Sequence, residues 1–244
     1  MVPEDLSVPG QLAGTIRRHR LVLFDLDDTL CDYSLARSRR LARAFADAFQ
    51  VSGHDEPADM ADLIARSIAT EPHGVEHFPE LLAEYRLPDG AVAAAQGWYR
   101  SNRFHELALF AGAGAALAAV RTQPGITGRQ IGVITNGPAD VQRAKVNLLG
   151  IEALVDFIIV SGEFGVHKPD PAIFREALRI GGAQPDEAIY IGDSAVYDVA
   201  GARAAGIAVV WVNRDGELWT GTGDAPTNEI RNIAEIAQAI TTPA

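Results

Sequence analysis

At 244 residues, with 48% hydrophobic content and a mean hydropathy of +0.04, the chain is long and apolar enough to bury a proper core. Its net charge of −11 argues against polymeric nucleic acid as a partner, and no run approaches the ~18 apolar residues of a membrane helix. Cys31 is the only cysteine, which rules out an intrachain disulfide and fits a reducing cytoplasm; the proline-broken, acidic start does not read as a secretion signal.

Residues 1–18 read as a frayed or loosely docked extension, and Arg17, Arg18 and Arg20 as solvated. The apolar run from Leu21 to Phe24 then reads as a buried strand. It runs into Asp25, Asp27, Asp28 and Thr29, too much charge to be core. Side chains alternate along a strand, so Asp25 and Asp27 can share a face if the backbone stays extended. Two converging carboxylates repel unless a cation holds them, and a hard ion such as Mg²⁺ suits oxygen donors. An acidic turn is the plain alternative for this segment alone. Cys31 has no thiolate-activating partner in the sequence and reads as a filler.

From residue 34 to about 50 the apolar residues Leu35, Leu41, Ala42, Phe45 and Phe49 follow a helical period. Arg37, Arg40 and Arg43 line another face, which reads as solvated. Helices are expected at 58–70, 78–86 and 89–104, separated by Pro/Gly breaks, with no strand pattern between Cys31 and Leu109. From there strands are expected near 131–135, 157–160, 189–192 and 208–212, alternating with helices near 113–122, 138–149, 170–180 and 198–205. This rhythm implies an α/β fold with a parallel sheet and right-handed crossovers, interrupted by an all-helical insertion.

Polar groups cluster where these strands end. Thr135, Asn136 and Gly137 close one, and Asp193 and Ser194 close another, with Asp198 just beyond. His167 and Lys168 lie in the loop before Pro169, Asp170 and Pro171. Open α/β sheets place their sites at strand C-termini. Lys168 stands out because the chain has 19 arginines and only two lysines, the other being Lys145. A compact point charge suits a crowded anionic site better than a guanidinium. Lys145 reads as a surface helix residue and His167 as structural.

The ordered segments DLDDTL, ITNG, HKPDPAIF and IGDSAVYD resemble the haloacid dehalogenase superfamily, which consists mainly of phosphohydrolases. The resemblance covers nearly everything after about residue 20. It implies a Rossmann-like core from 19–30 and 109–244 and a helical cap at 31–108 that closes over the leaving group. It implies a Mg²⁺-dependent phosphatase acting on a small phosphorylated molecule, such as a sugar phosphate, nucleotide or phosphoglycolate-like ester. Asp25 is then the nucleophile and Asp27 the general acid and base. Thr135, Asn136 and Lys168 hold phosphate. Asp25, Asp27 (through its main-chain carbonyl) and Asp193 hold Mg²⁺, and Asp198 orients Lys168 or a metal-bound water.

In haloalkanoate dehalogenases the position matching Asp27 is not acidic, so its presence favours phosphoryl transfer. The phosphonate-cleaving branch uses a cap lysine, and residues 31–109 contain none. A phosphomutase stays open, as does a non-catalytic phosphate-binding or regulatory protein, although intact Asp25, Asp27, Lys168 and Asp193 count against the latter. His73, His77, Phe78, Tyr85, Trp98 and Tyr99 are the candidate cap contacts with substrate, with hydrophobic core as the plain reading of most of them.

Overall fold

The computed structural model describes residues 9–71 and 73–241. In chain order the main elements are α1 (Pro9–Arg17), β1 (Leu21–Phe24), α2 (Tyr33–Ser52), α3 (Met60–Thr70), α4 (Phe78–Leu82) and α5 (Asp89–Ser101). There follow α6 (Ala113–Thr122), β2 (Gln130–Thr135), α7 (Ala139–Leu148), β3 (Phe157–Val160), α8 (Ser161–Phe164) and α9 (Pro171–Gly181). The last are β4 (Ala188–Gly192), α10 (Ala200–Ala204), β5 (Ala208–Val212), β6 (Asn228–Ile230) and α11 (Ala234–Thr241). They form two compact units, one of residues up to Asp32 and from Leu109 onward, the other Tyr33–Ala108.

The first unit is an α/β layer structure around one sheet. All strand pairs are parallel, in the order β3-β2-β1-β4-β5-β6. β1 is central and fully buried along Leu21 to Phe24, as expected of a parallel strand covered on both faces. Phe24 is in register with Val133 of β2 and Ile191 of β4. The C-terminal ends of these three strands therefore meet at one edge. β6 and α11 have no counterpart in the sequence reading, because a three-residue edge strand carries no readable period.

The N-terminal expectation is corrected for residues 9–17; residues 1–8 lie outside the described region. α1 is a docked helix that buries Leu12, Ala13 and Ile16 and packs on α11, which packs on α6. A buried arginine ties it down. Arg129 donates to the carbonyls of Arg17 (3.1 Å), His19 (3.1 Å) and Val120 (2.9 Å), and to Gln123 Oε1 (3.1 Å). It caps the ends of α1 and α6 with one guanidinium. Replacing Arg129 with methionine strands these carbonyls in a dry site. We expect a loss of about 3 kcal/mol of unfolding free energy by denaturant titration. A change under about 0.5 kcal/mol would show that the clamp is not structural.

The second unit is all-helical. Its core comprises Leu41, Phe45, Phe49, Leu63, Phe78, Leu82, Val92 and Tyr99, among others. Phe78 packs tilted against Phe45 (4.9 Å between ring centres) and edge-to-face against Tyr99 (5.7 Å), and Tyr85 packs edge-to-face against Phe49 (5.1 Å). Of the candidate substrate contacts, Phe78 and Tyr99 are thus core, and Tyr85 and Trp98 are partly buried against it. His77 is buried with its Nε2 2.7 Å from Ser67 Oγ, while His73 Nδ1 lies 3.4 Å from the Tyr33 hydroxyl.

The expectation of a solvated arginine face fails at Arg40. It is buried, with its guanidinium 3.7 Å above the Tyr99 ring and a hydrogen bond to the Arg103 carbonyl. Cation–π attraction and an apolar stem explain why the helix turns this arginine inward. Arg43 does pair with Asp47 on an exposed turn, as a helix surface pair should.

Candidate active site

Three strand ends and two loops build the site. β1 delivers Asp25, whose N–H donates to the Ile191 carbonyl (2.9 Å), continuing the ladder one residue past the strand. Asp28 then takes a left-handed conformation (φ 61°), which aspartate tolerates better than most residues. The turn puts Thr29 Oγ1 3.3 Å from Asp193 Oδ1, to which it donates. β4 delivers Asp193, whose main-chain carbonyl accepts from the Trp211 indole (2.7 Å).

Gly192 is required where it stands, since a Cβ there would lie 2.6 Å from the Asp198 carboxylate. Its absence lets Asp198, in the π-helical turn Ala195–Val199, press against the strand end. Carboxylate oxygens of Asp25, Asp193 and Asp198 all lie within 4.8 Å of one another.

Lys168 reaches into this acidic group. It is 4% exposed and uses its three donors on Asp25 Oδ1 (2.5 Å), Asp198 Oδ1 (2.7 Å) and the Tyr190 hydroxyl (3.0 Å). The phenol donates in turn to Asp198 Oδ1 (2.9 Å). Tyr190 was not legible as a site residue, although a tyrosine in an otherwise apolar strand needs a partner for its hydroxyl. The Asn136 side chain brackets residue 168: its Oδ1 accepts from the Lys168 N–H (2.9 Å) and its Nδ2 donates to the Lys168 carbonyl (3.0 Å). The Asn136 side chain thus fixes the lysine loop, and the expected phosphate contacts of this segment are those of the Thr135 hydroxyl and the nearby N–H groups. His167 hydrogen-bonds Ser161 Oγ (2.8 Å), which accepts from Gly137 N–H (2.9 Å), a structural lock.

The surface assignment of Lys145 is corrected. It is 3% exposed, and its ammonium donates to both Asp27 oxygens, at 2.8 and 2.7 Å. One turn earlier on α7, Gln142 Nε2 donates to Asp27 Oδ2 (3.0 Å), Thr135 Oγ1 (2.7 Å) and the Asn136 carbonyl (2.6 Å). Both lysines of the chain thus serve this strand-end cluster. Asp27's carboxylate turns to α7 and lies outside the Asp25, Asp193 and Asp198 group. Asp198 joins that group while also holding Lys168, where the sequence assigned it only a supporting contact.

Electrostatics follow from crowding. Burial pushes the Asp25 carboxyl well above the usual carboxylate range; Lys168 opposes this, and Asp198 and Asp193 add to it. Burial, then Asp198 and Asp28, push Asp193 up to about 7. Burial alone would pull Lys168 down, but Asp198 and Asp25 hold it above its ordinary value. The Cys31 thiol is pushed up by burial and by Asp27, which suits a filler. A hard, all-oxygen donor set whose like charges disfavour joint ionisation fits a divalent ion such as Mg²⁺.

This has a measurable consequence. A carboxyl raised from 3.8 to about 7 holds its proton more tightly in the folded chain than in the unfolded one. Its contribution therefore favours folding at low pH and is lost as pH rises toward 7. We predict that Mg²⁺, by neutralising the group, raises the melting temperature several degrees more at pH 8 than at pH 5.5. An equal or larger shift at pH 5.5, by scanning calorimetry, would contradict the assignment.

Residues 19–206 match the family model for haloacid dehalogenase-like hydrolases. A glyceraldehyde 3-phosphate phosphatase of Pyrococcus abyssi is 31% identical over 198 residues, covering 79% of this chain and 80% of that one. A phosphoserine phosphatase of Thermus thermophilus is 39% identical over 127 residues, 52% of this chain and 49% of its own length. Among solved structures, the HAD-hydrolase YfnB of Bacillus subtilis, bound to magnesium, is similar with a TM-score of 0.68 and 25% identity, covering 92% of this chain and 100% of that chain. The chain belongs to the haloacid dehalogenase-like hydrolase family, on the branch of its phosphoric monoester hydrolases.

Proposed function

We propose that the protein is a Mg²⁺-dependent phosphatase that hydrolyses a small phosphomonoester through an aspartyl-phosphate on Asp25. The observation that carries this reading is the buried Asp25 at the end of the central strand, with Lys168 on one of its oxygens and two further carboxylates beside it. Asp25, Asp193 and the main-chain carbonyl of Asp27 would hold Mg²⁺, which when bound supplies charge neutralisation between the nucleophile and the anionic ester.

Within that frame the residues have separate tasks. An Asp25 oxygen attacks phosphorus as the bond to the leaving oxygen breaks, and Asp27 gives that oxygen its proton. In the second half Asp27 takes a proton from water as the water oxygen attacks phosphorus and Asp25 is released. Lys168 balances the charge that shifts among phosphate oxygens and Asp25. The Thr135 hydroxyl and the N–H groups at the start of α7 are the donors for the phosphate. The helical unit is read as the family's cap, which carries the Tyr33 hydroxyl and His73 as a polar pair.

The phosphatase reading is preferred over dehalogenation because Asp27 is an acid, which a halide leaving group does not need. Its test is phosphate release from a panel of phosphorylated sugars, amino acids and short organic acids, with Mg²⁺ and with excess EDTA. Mg²⁺-dependent turnover of some members is expected. No release from any member, or full release in EDTA, would overturn the reading.

A further inference from the structure

We propose that Lys145, assisted by Gln142, is the positioning residue for the acid–base carboxylate of Asp27. The proposal rests on the phosphatase reading above. Three features carry it. Lys145 engages both carboxylate oxygens, a two-point grip that fixes the rotation of the group as well as its place. The ammonium is almost fully buried, so the pair is not a loose surface bridge. Gln142 adds a second donor to Oδ2 and, through the same nitrogen, joins Asp27 to Thr135 and the Asn136 carbonyl.

The orientation of the Gln142 amide supports a donor role. Its Oε1 is buried without a hydrogen-bond partner among the described residues. Flipping the amide would aim that oxygen at the Asp27 carboxylate and the Asn136 carbonyl, neither of which can donate, so the NH₂ group faces them even though the oxygen goes unsatisfied. Residues 142 and 145 stand one turn apart on α7, a rigid element that starts where β2 ends. The helix thus carries the groups that hold the Asp27 carboxylate, and its first turn borders the Thr135–Asn136 loop. Proton transfer to a leaving oxygen is steep in geometry, so a wandering carboxyl group is a poor acid.

If Lys145 acts through Asp27, its loss must matter only when the leaving group needs a proton. We therefore compare kcat/KM, which reports the steps through the first P–O cleavage, for an alkyl phosphate taken from the substrate panel and for 2,4-dinitrophenyl phosphate. The alkoxide of the first needs protonation; the phenolate of the second does not. Lys145→Met is expected to lower kcat/KM on the alkyl ester by about 30-fold or more, a large part of the ~10²–10⁴-fold that general acid catalysis contributes. On the dinitrophenyl ester the change should stay within about threefold. Asp27→Asn should show the same selectivity, and Lys145→Met added to Asp27→Asn should cost nothing further.

Equal losses on both esters would overturn the proposal, since Lys145 would then support the whole site. Unchanged or higher activity on the alkyl ester would also overturn it. If Asp27→Asn itself shows no selectivity, the acid–base role of Asp27 fails and the proposal falls with it. Absence of turnover in the parent protein marks failure of the phosphatase reading instead, and removes the basis of the proposal. Circular dichroism and melting curves establish that each variant folds. Should Lys145→Met not fold, Lys145→Gln, which keeps a donor but no charge, carries the same comparison with the same expected selectivity.

Discussion

Asp25→Asn is expected to reduce phosphatase turnover to background, a loss on the order of 10⁴-fold or more. The amide is close in size to the carboxylate, but it is a feeble nucleophile toward phosphorus and a poor ligand for a hard cation. The fold should survive. Asp25 sits among Asp193 and Asp198, and its own carboxyl is driven upward by burial, so a neutral side chain there removes repulsion from the metal-free protein. The melting temperature without Mg²⁺ should thus be no lower than the parent's by more than a few degrees. A variant that keeps substantial turnover while folded would remove Asp25 from the reaction.

Lys168→Arg should be severely impaired although the charge is kept. Lys168 lies in a closed ring of Asp25, Asp198 and Tyr190, with each ammonium proton directed at one of them. A guanidinium is planar and broader, and it cannot point three donors along those directions from one nitrogen. It must either displace Asp25 or push back Tyr190, which is fully buried. The expected loss is about 2–4 kcal/mol of transition-state stabilisation, by analogy with removing one preorganised donor to a developing oxyanion. It should fall mainly on kcat, because the charge matters most while phosphorus changes partners. A kcat within about twofold of the parent would reduce Lys168 to general electrostatic support.

What the sequence makes legible and what it hides divide along physical lines. β1, β2 and β4 are short apolar runs that stop at polar residues, so both the strands and the edge where they converge can be read in advance. The helical character of residues 33–108 follows equally from its period and its breaks. Long-range partnerships are harder. Asp27 and Lys145 are separated by 118 positions, and nothing local announces that they meet. The rarity of lysine that singled out Lys168 applies with the same force to Lys145, however, and the Gln142–Lys145 spacing puts both on one helix face.

Asn136 shows a subtler limit. Its place in the motif was legible, but whether its amide would face a ligand or the neighbouring loop depends on where the chain around Lys168 passes. Arg40 and α1 were missed for a related reason. The first is buried by an aromatic ring from another helix, and the second by packing on α11 near the other end of the chain. Both are tertiary overrides of a polar or irregular local signal.

The central claim is that phosphate passes through a covalent bond to Asp25. It is tested most directly by quenching the enzyme during turnover of a good substrate, reducing with borohydride and mapping the peptides by mass spectrometry. An acyl phosphate at residue 25 is reduced to homoserine, whereas an unmodified carboxylate is not. The mechanism predicts homoserine at position 25, dependent on substrate and Mg²⁺ and absent from Asp25→Asn. Active enzyme that yields no homoserine at position 25, or yields it at another carboxylate, would contradict it.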